Sequence, residues 1–379
     1  QGDWSSDVCS SDLSELGDPL KGFYCLGLLL LMKKFFIYLI VVTLVLGGLL
    51  RFSIEFETAQ DIAMRQFAGL VLSQGTQGMP QPDSLRVHVC GSASPLGMSD
   101  QAQACLAVTT PKHFYIVDSG AGSTVNVARA GLPMNRLRGV FLTHFHSDHI
   151  GELYELNLTS WVQGRPEPLT IYGPKGVRQV VRGINDTYEL DRGYRIEHHG
   201  ADLLNPDRGK LLHKSVKAGI VLEDGDLTVT AYIAEHHPVS PALGYRFDYR
   251  GRSVVISGDS NVTDATRRIT ANTDLLFHDA LSVPAVTTMA AAADAAGASR
   301  MSKIMNDVLD YHASTDSIIE LGRSTKIGMV AYYHLVPTPG NILVEKFFER
   351  DLPDNFRIAR DGDWYELPAN STDIKVVSR

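Results

Sequence analysis

The stretch FLTHFHSDHIGEL, residues 141–153, sets three histidines and an aspartate within six positions. His144, His146, Asp148 and His149 follow directly on the apolar run LRGVFLT. A chain that empties a buried strand into four ligand-type side chains must bring that strand end to a site. The chain holds only 13 histidines, and three fall here, so a solvated loop accounts for the cluster less well than a metal site. Imidazole and carboxylate suit zinc, iron or manganese. In an extended segment His144 and His146 point the same way, since side chains alternate with period two. Asp148 and His149 then turn toward a second position.

One motif does not complete a metal site. The remaining candidates also stand at the ends of apolar runs. His236 and His237 close LTVTAYIA, Asp259 follows RSVVIS in SGDS, and His334 closes MVAYY. Each alone reads as a surface residue. Together they complete two coordination shells along one sheet edge.

The surrounding text supports sheets. LRVHVCG, CLAVTT and HFYIVDSG are short strands punctuated by Gly and Pro. A helix ending at Gly131 and the helix ELYELNLTSWVQG flank the histidine cluster. The strand PLTIYGP and the helix KGVRQVVRGINDTYELD follow. The second half has strands in LTVTAYIAEHHP, LGYRFDYRGRSVVISGDS, TDLLFHDAL and IGMVAYYHL, with a hairpin turn at YRG. A long helix is expected over residues 283–311 and another in STDSIIELGRSTK. Two runs of strands and helices imply an α/β fold, two sheets packed together with helices outside.

The N-terminal part stands apart. Residues 1–31 lack periodicity before Phe23 and resemble translated adapter sequence, so they are expected to be a non-native prefix, with Met32 as the start. Residues 32–54 open with Lys33 and Lys34 and continue with an apolar run over 35–50. That pattern suits an uncleaved inner-membrane anchor or a signal segment. The lysines should stay in the cytoplasm, which places the rest outside it. Residues 55–84 read as an amphipathic helix and a Gly/Pro-rich linker, and residues 85–379 as the main folded domain.

Beyond the prefix only Cys90 and Cys105 remain. Flanking a short loop in an exported chain, they suggest a disulfide, with two buried thiols as the alternative. Net charge is −8; the first 31 residues hold five acids and one lysine, which leaves −4 on the rest. A mildly acidic body gives no general attraction for nucleic acid, so nucleic acid is expected to be an unlikely partner and a small molecule the substrate.

The motifs resemble those of the metallo-β-lactamase superfamily, in its ribonuclease Z and arylsulfatase-like branch. The resemblance covers about residues 85–367. THFHSDHIGEL matches the H-x-H-x-D-H motif, and VDSGAG the early Asp-and-glycine loop with Asp118. EHHPVSPALGYRFDYRGRSVVISGDS resembles the His…GYR…GD stretch, where the histidine two residues before the proline is the ligand, which selects His236 over His237. FHDAL and DYHAST match the acid-containing and His-Ser/Thr motifs. CGSASPL departs from the usual Gly-Thr-Gly type of loop, at the substrate edge.

This resemblance implies an αββα four-layer sandwich with two zinc ions. His144, His146, His236 and Asp259 would hold the first, and Asp148, His149, His334 and the shared Asp259 the second. Asp259 stands where true lactamases often carry Cys. The implied activity is hydrolysis of phosphate or sulfate esters by a hydroxide bridging the metals, of phosphodiesterase or arylsulfatase type. Asp148 would orient the hydroxide, His312 would be the general acid and Asp279 its orienting partner. Asp118 would fix a loop. His88, His113, His198, His199, His213, His237 and His278 are expected to be structural or on the surface. The alternatives are a ribonuclease Z-like tRNA 3′-end endonuclease, a di-iron redox protein, and a zinc-stabilised binding module. Seven ligands exceed the four that structural zinc needs, which weighs against the last.

Overall fold

The computed structural model describes residues 18–73, 79, 83–97 and 99–378. The first 17 residues of the expected prefix and most of the 74–82 linker lie outside them. The chain forms two units, residues 1–74 and 75–379. In the first, a helix runs over Asp18–Glu55 and a second over Glu57–Ser73. Within the first helix, Leu31–Phe52 is long and apolar enough to cross a membrane by length and composition. Its 22 residues span about 33 Å at 1.5 Å per residue, against a hydrocarbon core of about 30 Å.

Among the described residues, the second unit holds fifteen strands. They are β1 (Ser84–Gly91), β2 (Cys105–Thr109), β3 (Phe114–Val117), β4 (Gly139–Phe141), β5 (Leu169–Gly173), β6 (Leu211–Ser215), β7 (Gly219–Asp224) and β8 (Leu227–His236). They continue as β9 (Val239–Tyr249), β10 (Arg252–Ile256), β11 (Leu275–Leu281), β12 (Met329–Val336), β13 (Phe356–Ile358), β14 (Trp364–Pro368) and β15 (Lys375–Val377). One sheet has the order β15-β14-β1-β2-β3-β4-β5-β6, the other β13-β12-β11-β10-β9-β8-β7.

The layers follow from period-two alternation. Val254 and Ile256, Leu275 and Phe277, and Ala331 and Tyr333 enter the core that also holds Val87, Val89, Leu106 and Phe141 of the other sheet. The residues between them, Val255, Leu276, Val330 and Tyr332, join Ile318, Ile319 and Leu321 of the helix Thr315–Thr325. On the outer side of the first sheet Ile116, Val140 and Ile171 pack with Leu153, Leu156, Val177 and Val181 from helices. The result is helix, sheet, sheet, helix, as the motifs imply.

Two expected helices are broken. The one over 283–311 is two helices, Val283–Ala295 and Ser299–Asp307, followed by a single 3₁₀ turn. Gly297 at φ 72° ends the first, a left-handed position that favours glycine. KGVRQVVRGINDTYELD divides at Tyr188 into Val177–Thr187 and Glu189–His199. Cys90 and Cys105 form a disulfide across the start of β1–β2 pairing.

Candidate metal centre

The parallel strands β3, β4, β10, β11 and β12 deliver their C-terminal ends to one edge. After β4 the chain turns, and His146 precedes the short helix Ser147–Ile150, which carries Asp148 and His149. Glu152 of the same motif accepts the backbone N–H groups of Gly122 and Thr124, at 2.5 and 2.7 Å. That ties the histidine loop to the loop after β3.

Asp259 is aimed by its neighbour. Gly258 sits at φ 63°, and a Cβ there would lie 2.7 Å from the Thr143 Cβ, so the turn of SGDS requires glycine. His334 is aimed by a bulge. Asp279 pairs with Tyr333 and Ala280 with Leu335, leaving His334 as the extra residue of β12, at φ 46°. Bulges re-aim side chains in this way. A register irregularity between Ala234 and His236 lies at the corresponding end of β8.

These devices bring together all seven residues named from the sequence. His144, His146, His236 and Asp259 form one group, and Asp148, His149, His334 and Asp259 another, with each group's donor atoms within 4.8 Å of one another. The Asp259 Oδ2 atom lies 3.8 Å from His144 Nε2, 3.7 Å from His236 Nε2 and 3.3 Å from His149 Nε2. Its Oδ1 lies 3.5 Å from His334 Nε2. Ligand atoms about 2.0–2.1 Å from a tetrahedral zinc stand roughly 3.4 Å apart, so this spacing suits such an ion. His144 Nε2, His149 Nε2 and Asp259 Oδ1 are buried without a hydrogen-bond partner. Buried polar atoms left so are costly, and a cation would satisfy all three. The donor set therefore fits a pair of divalent ions.

The supporting bonds also have names. His149 Nδ1 donates to Asp118 Oδ2 at 2.8 Å. Asp118, at φ 58°, accepts further from Thr143 N and Thr143 Oγ1, both at 2.8 Å. Such a carboxylate fixes the ring's tautomer and direction. His236 Nδ1 donates to the Tyr311 carbonyl at 2.9 Å. Thr143, Glu152 and Tyr311 were not legible as site residues in the sequence; the first two flank or end the H-x-H-x-D-H motif, and the third acts through its backbone.

Charge divides the groups. Burial lowers the pKa of His144, His146 and His236. Burial also acts on His149 and His334, but nearby carboxylates, Asp259 foremost, overcome it and raise both. Burial would push Asp148 up, yet the nearby His149 charge and the hydrogen bond from His334 Nε2 at 3.0 Å hold it well below the usual carboxylate range.

His312 stands beside these ligands. It lines a cavity of ≈ 160 Å³ with His146, Asp148, Asp259 and His334. His312 Nδ1 donates to Asp279 Oδ2 at 3.0 Å, which leaves Nε2 as its other ring nitrogen. Burial opposes ionisation of Asp279, but hydrogen bonds from His278 and His312 prevail and lower its pKa. His278, expected to be structural, is buried with Nδ1 2.9 Å from Asp279 Oδ1. His237 is exposed and belongs to neither group.

The pattern of the beta-lactamase superfamily domain matches residues 115–331, more than half of the chain. The chain belongs to the metallo-β-lactamase superfamily. Within it the ribonuclease Z of Mycobacterium bovis (strain BCG / Pasteur 1173P2) is 31% identical over 259 residues, 68% of this chain and 88% of the relative. Among solved structures, the metallo-β-lactamase fold protein YhfI from Bacillus subtilis has a TM-score of 0.55 at 18% identity, covering 75% of this chain and 100% of that one. Human tRNase Z, short form, has a TM-score of 0.53 at 18% identity, covering 75% and 99%. These two likenesses show the fold.

One expectation is overturned here. Nucleic acid is not an unlikely partner for a superfamily member whose curated relatives are named ribonuclease Z. Net charge averages over the whole body and does not report local fields. Lys112, Arg136, Arg138 and Arg165 line a separate cavity of ≈ 450 Å³ in this acidic chain.

Proposed function

We propose that this superfamily member is a dinuclear zinc hydrolase of phosphodiesters. The observation that carries the reading is Asp259, fully buried and common to two groups of ligands that together present five histidines and a second aspartate. When bound, two divalent ions supply Lewis acidity for a developing oxyanion and a water acidic enough to attack at neutral pH.

The chain's own residues would divide the remaining work. Asp148, a member of the second ligand group, would align the attacking water by accepting its hydrogen bond. His312 delivers the proton at Nε2 to the leaving oxygen, with Nδ1 fixed on Asp279. The Asp279 carboxylate holds the ring's tautomer and direction. RNA enters as a substrate through the 31% identity to ribonuclease Z, since the scissile bond is the same phosphodiester.

The test is a substrate panel on zinc-loaded protein: alkyl and nitrophenyl phosphodiesters, a tRNA precursor with a 3′ trailer, an aryl sulfate and a lactam. Phosphodiester cleavage is expected, and turnover of the sulfate or lactam alone would contradict it. His312→Ala should slow alkyl diesters by about 10²–10⁴-fold and nitrophenyl diesters far less, because an acidic leaving group needs little protonation. Equal losses on both would remove the acid role from His312.

A further inference from the structure

The departure at CGSASPL has a structural counterpart. The loop between β1 and β2 reaches the cavity with Ser94, Pro95 and Leu96. Its base is tied twice. The Cys90–Cys105 disulfide closes it, and the Asp361 carboxylate accepts from Ser92 N at 2.9 Å, Ala102 N at 2.6 Å and Asn126 Nδ2 at 2.8 Å. Ala93 bridges to Leu335 and Gly97 to Thr338, beyond the end of β12. The loop is thus a preformed wall. Leu96 packs on an apolar cluster that includes Val308 and Val336, both of which line the cavity.

Ile304 continues that lining from the helix Ser299–Asp307 and is 44% exposed. Ile304 and Val308 are four residues apart, so they share one side of the segment that leads into His312. Among the described residues, no Lys or Arg lines the cavity. One side of the site is therefore ionic and the other apolar.

We propose that Leu96, Ile304 and Val308 form an apolar subsite beside the leaving oxygen, so that among small phosphodiesters this chain prefers those whose leaving alcohol carries an apolar group. The assignment rests on the phosphodiesterase reading and on His312 facing the leaving oxygen. The alcohol attached to that oxygen then lies toward the segment that precedes His312. A polar leaving group would lose water against Leu96 and Ile304 without a new hydrogen bond.

The experiment compares two methyl aryl phosphates on zinc-loaded protein, one with a para-propyl and one with a para-hydroxyethyl phenol. The two phenols match in acidity and size, so a difference reports the subsite rather than the chemistry. The propyl ester should be favoured about tenfold in kcat/KM, carried by KM. Ile304→Asn should bring the ratio close to one, and Ile304→Leu should keep it. Leu96→Asn should lower it independently, with metal content and thermal unfolding confirming that each variant is folded. Turnover of both diesters without preference, or an unchanged ratio in folded Ile304→Asn and Leu96→Asn, would overturn the subsite alone. No turnover of either diester would overturn the phosphodiesterase reading and the subsite with it.

Discussion

The two ligand groups share Asp259 but are built differently. His144, His146 and His236 bring no further carboxylate, and His146 is exposed at the start of its short helix. Asp148, His149 and His334 are all buried, and Asp118 adds a second carboxylate against His149. One group is open and lightly charged; the other is enclosed and anionic. The difference teaches where a cation would be retained and where it would exchange. Coulomb attraction grows with each carboxylate and with exclusion of water. The enclosed group should be the tight one and the open group the labile one.

The largest break in that contrast comes from the residue both groups share. Asp259→Ala should weaken both ions by more than about a hundredfold and reduce hydrolysis to background, read as metal content after dialysis and as turnover. Retention of one full equivalent would confine Asp259 to a single group.

Asp118→Asn should act on the enclosed group only. Orienting partners of this type typically contribute about 10–100-fold in metal affinity. A zinc titration should show the tighter equivalent weakened by that factor and the weaker one unchanged. Equal weakening of both would mean that Thr143, which also meets His144 Nδ1 at 3.1 Å, transmits the loss to the open group.

Stepwise removal sharpens the comparison further. With a graded chelator the first equivalent should leave from the open group, with affinities separated by roughly tenfold or more, as expected for one added carboxylate. Labelling by histidine hydrogen exchange should show His146 and His236 released first. Early release of His334 would reverse the order.

The smallest effect on the ions belongs to the disulfide. Cys90→Ser with Cys105→Ser opens a loop of sequence separation 15, worth about 3 kcal/mol of stability on the chain-entropy scale. Thermal unfolding should register that loss while both equivalents of metal remain. Loss of metal would show that the loop between β1 and β2 holds the ligand groups as well as the apolar wall.

The candidate ligand set was legible because its members follow four apolar runs, a pattern that survives in one dimension. His144, Asp259 and His334 needed no structure to be named, and the sandwich followed from the motifs. Choosing His236 over His237 depended on resemblance, since both follow LTVTAYIA with equal claim. What sequence could not show is how the ends are aimed. The bulge at His334 and the left-handed Asp118 are properties of paired strands, not of local residue preference. The break at Gly297 was hidden by an alanine-rich run with high helix propensity, and it is that break that presents Ile304 beside the cavity. The strand β14, which pairs with β1 in the register Ser84 to Pro368, depends on a partner far away in the chain. The expectation that nucleic acid is an unlikely partner failed for a different reason: net charge is a sum, and a site responds to a local field.

Cobalt replacement tests the shared carboxylate most directly. Metal-free protein titrated with Co²⁺ should bind two equivalents per chain, and the two ions should be magnetically coupled through Asp259, with the coupling absent in Asp259→Ala. Saturation at one equivalent, or two ions that behave as independent centres, would contradict a dinuclear site.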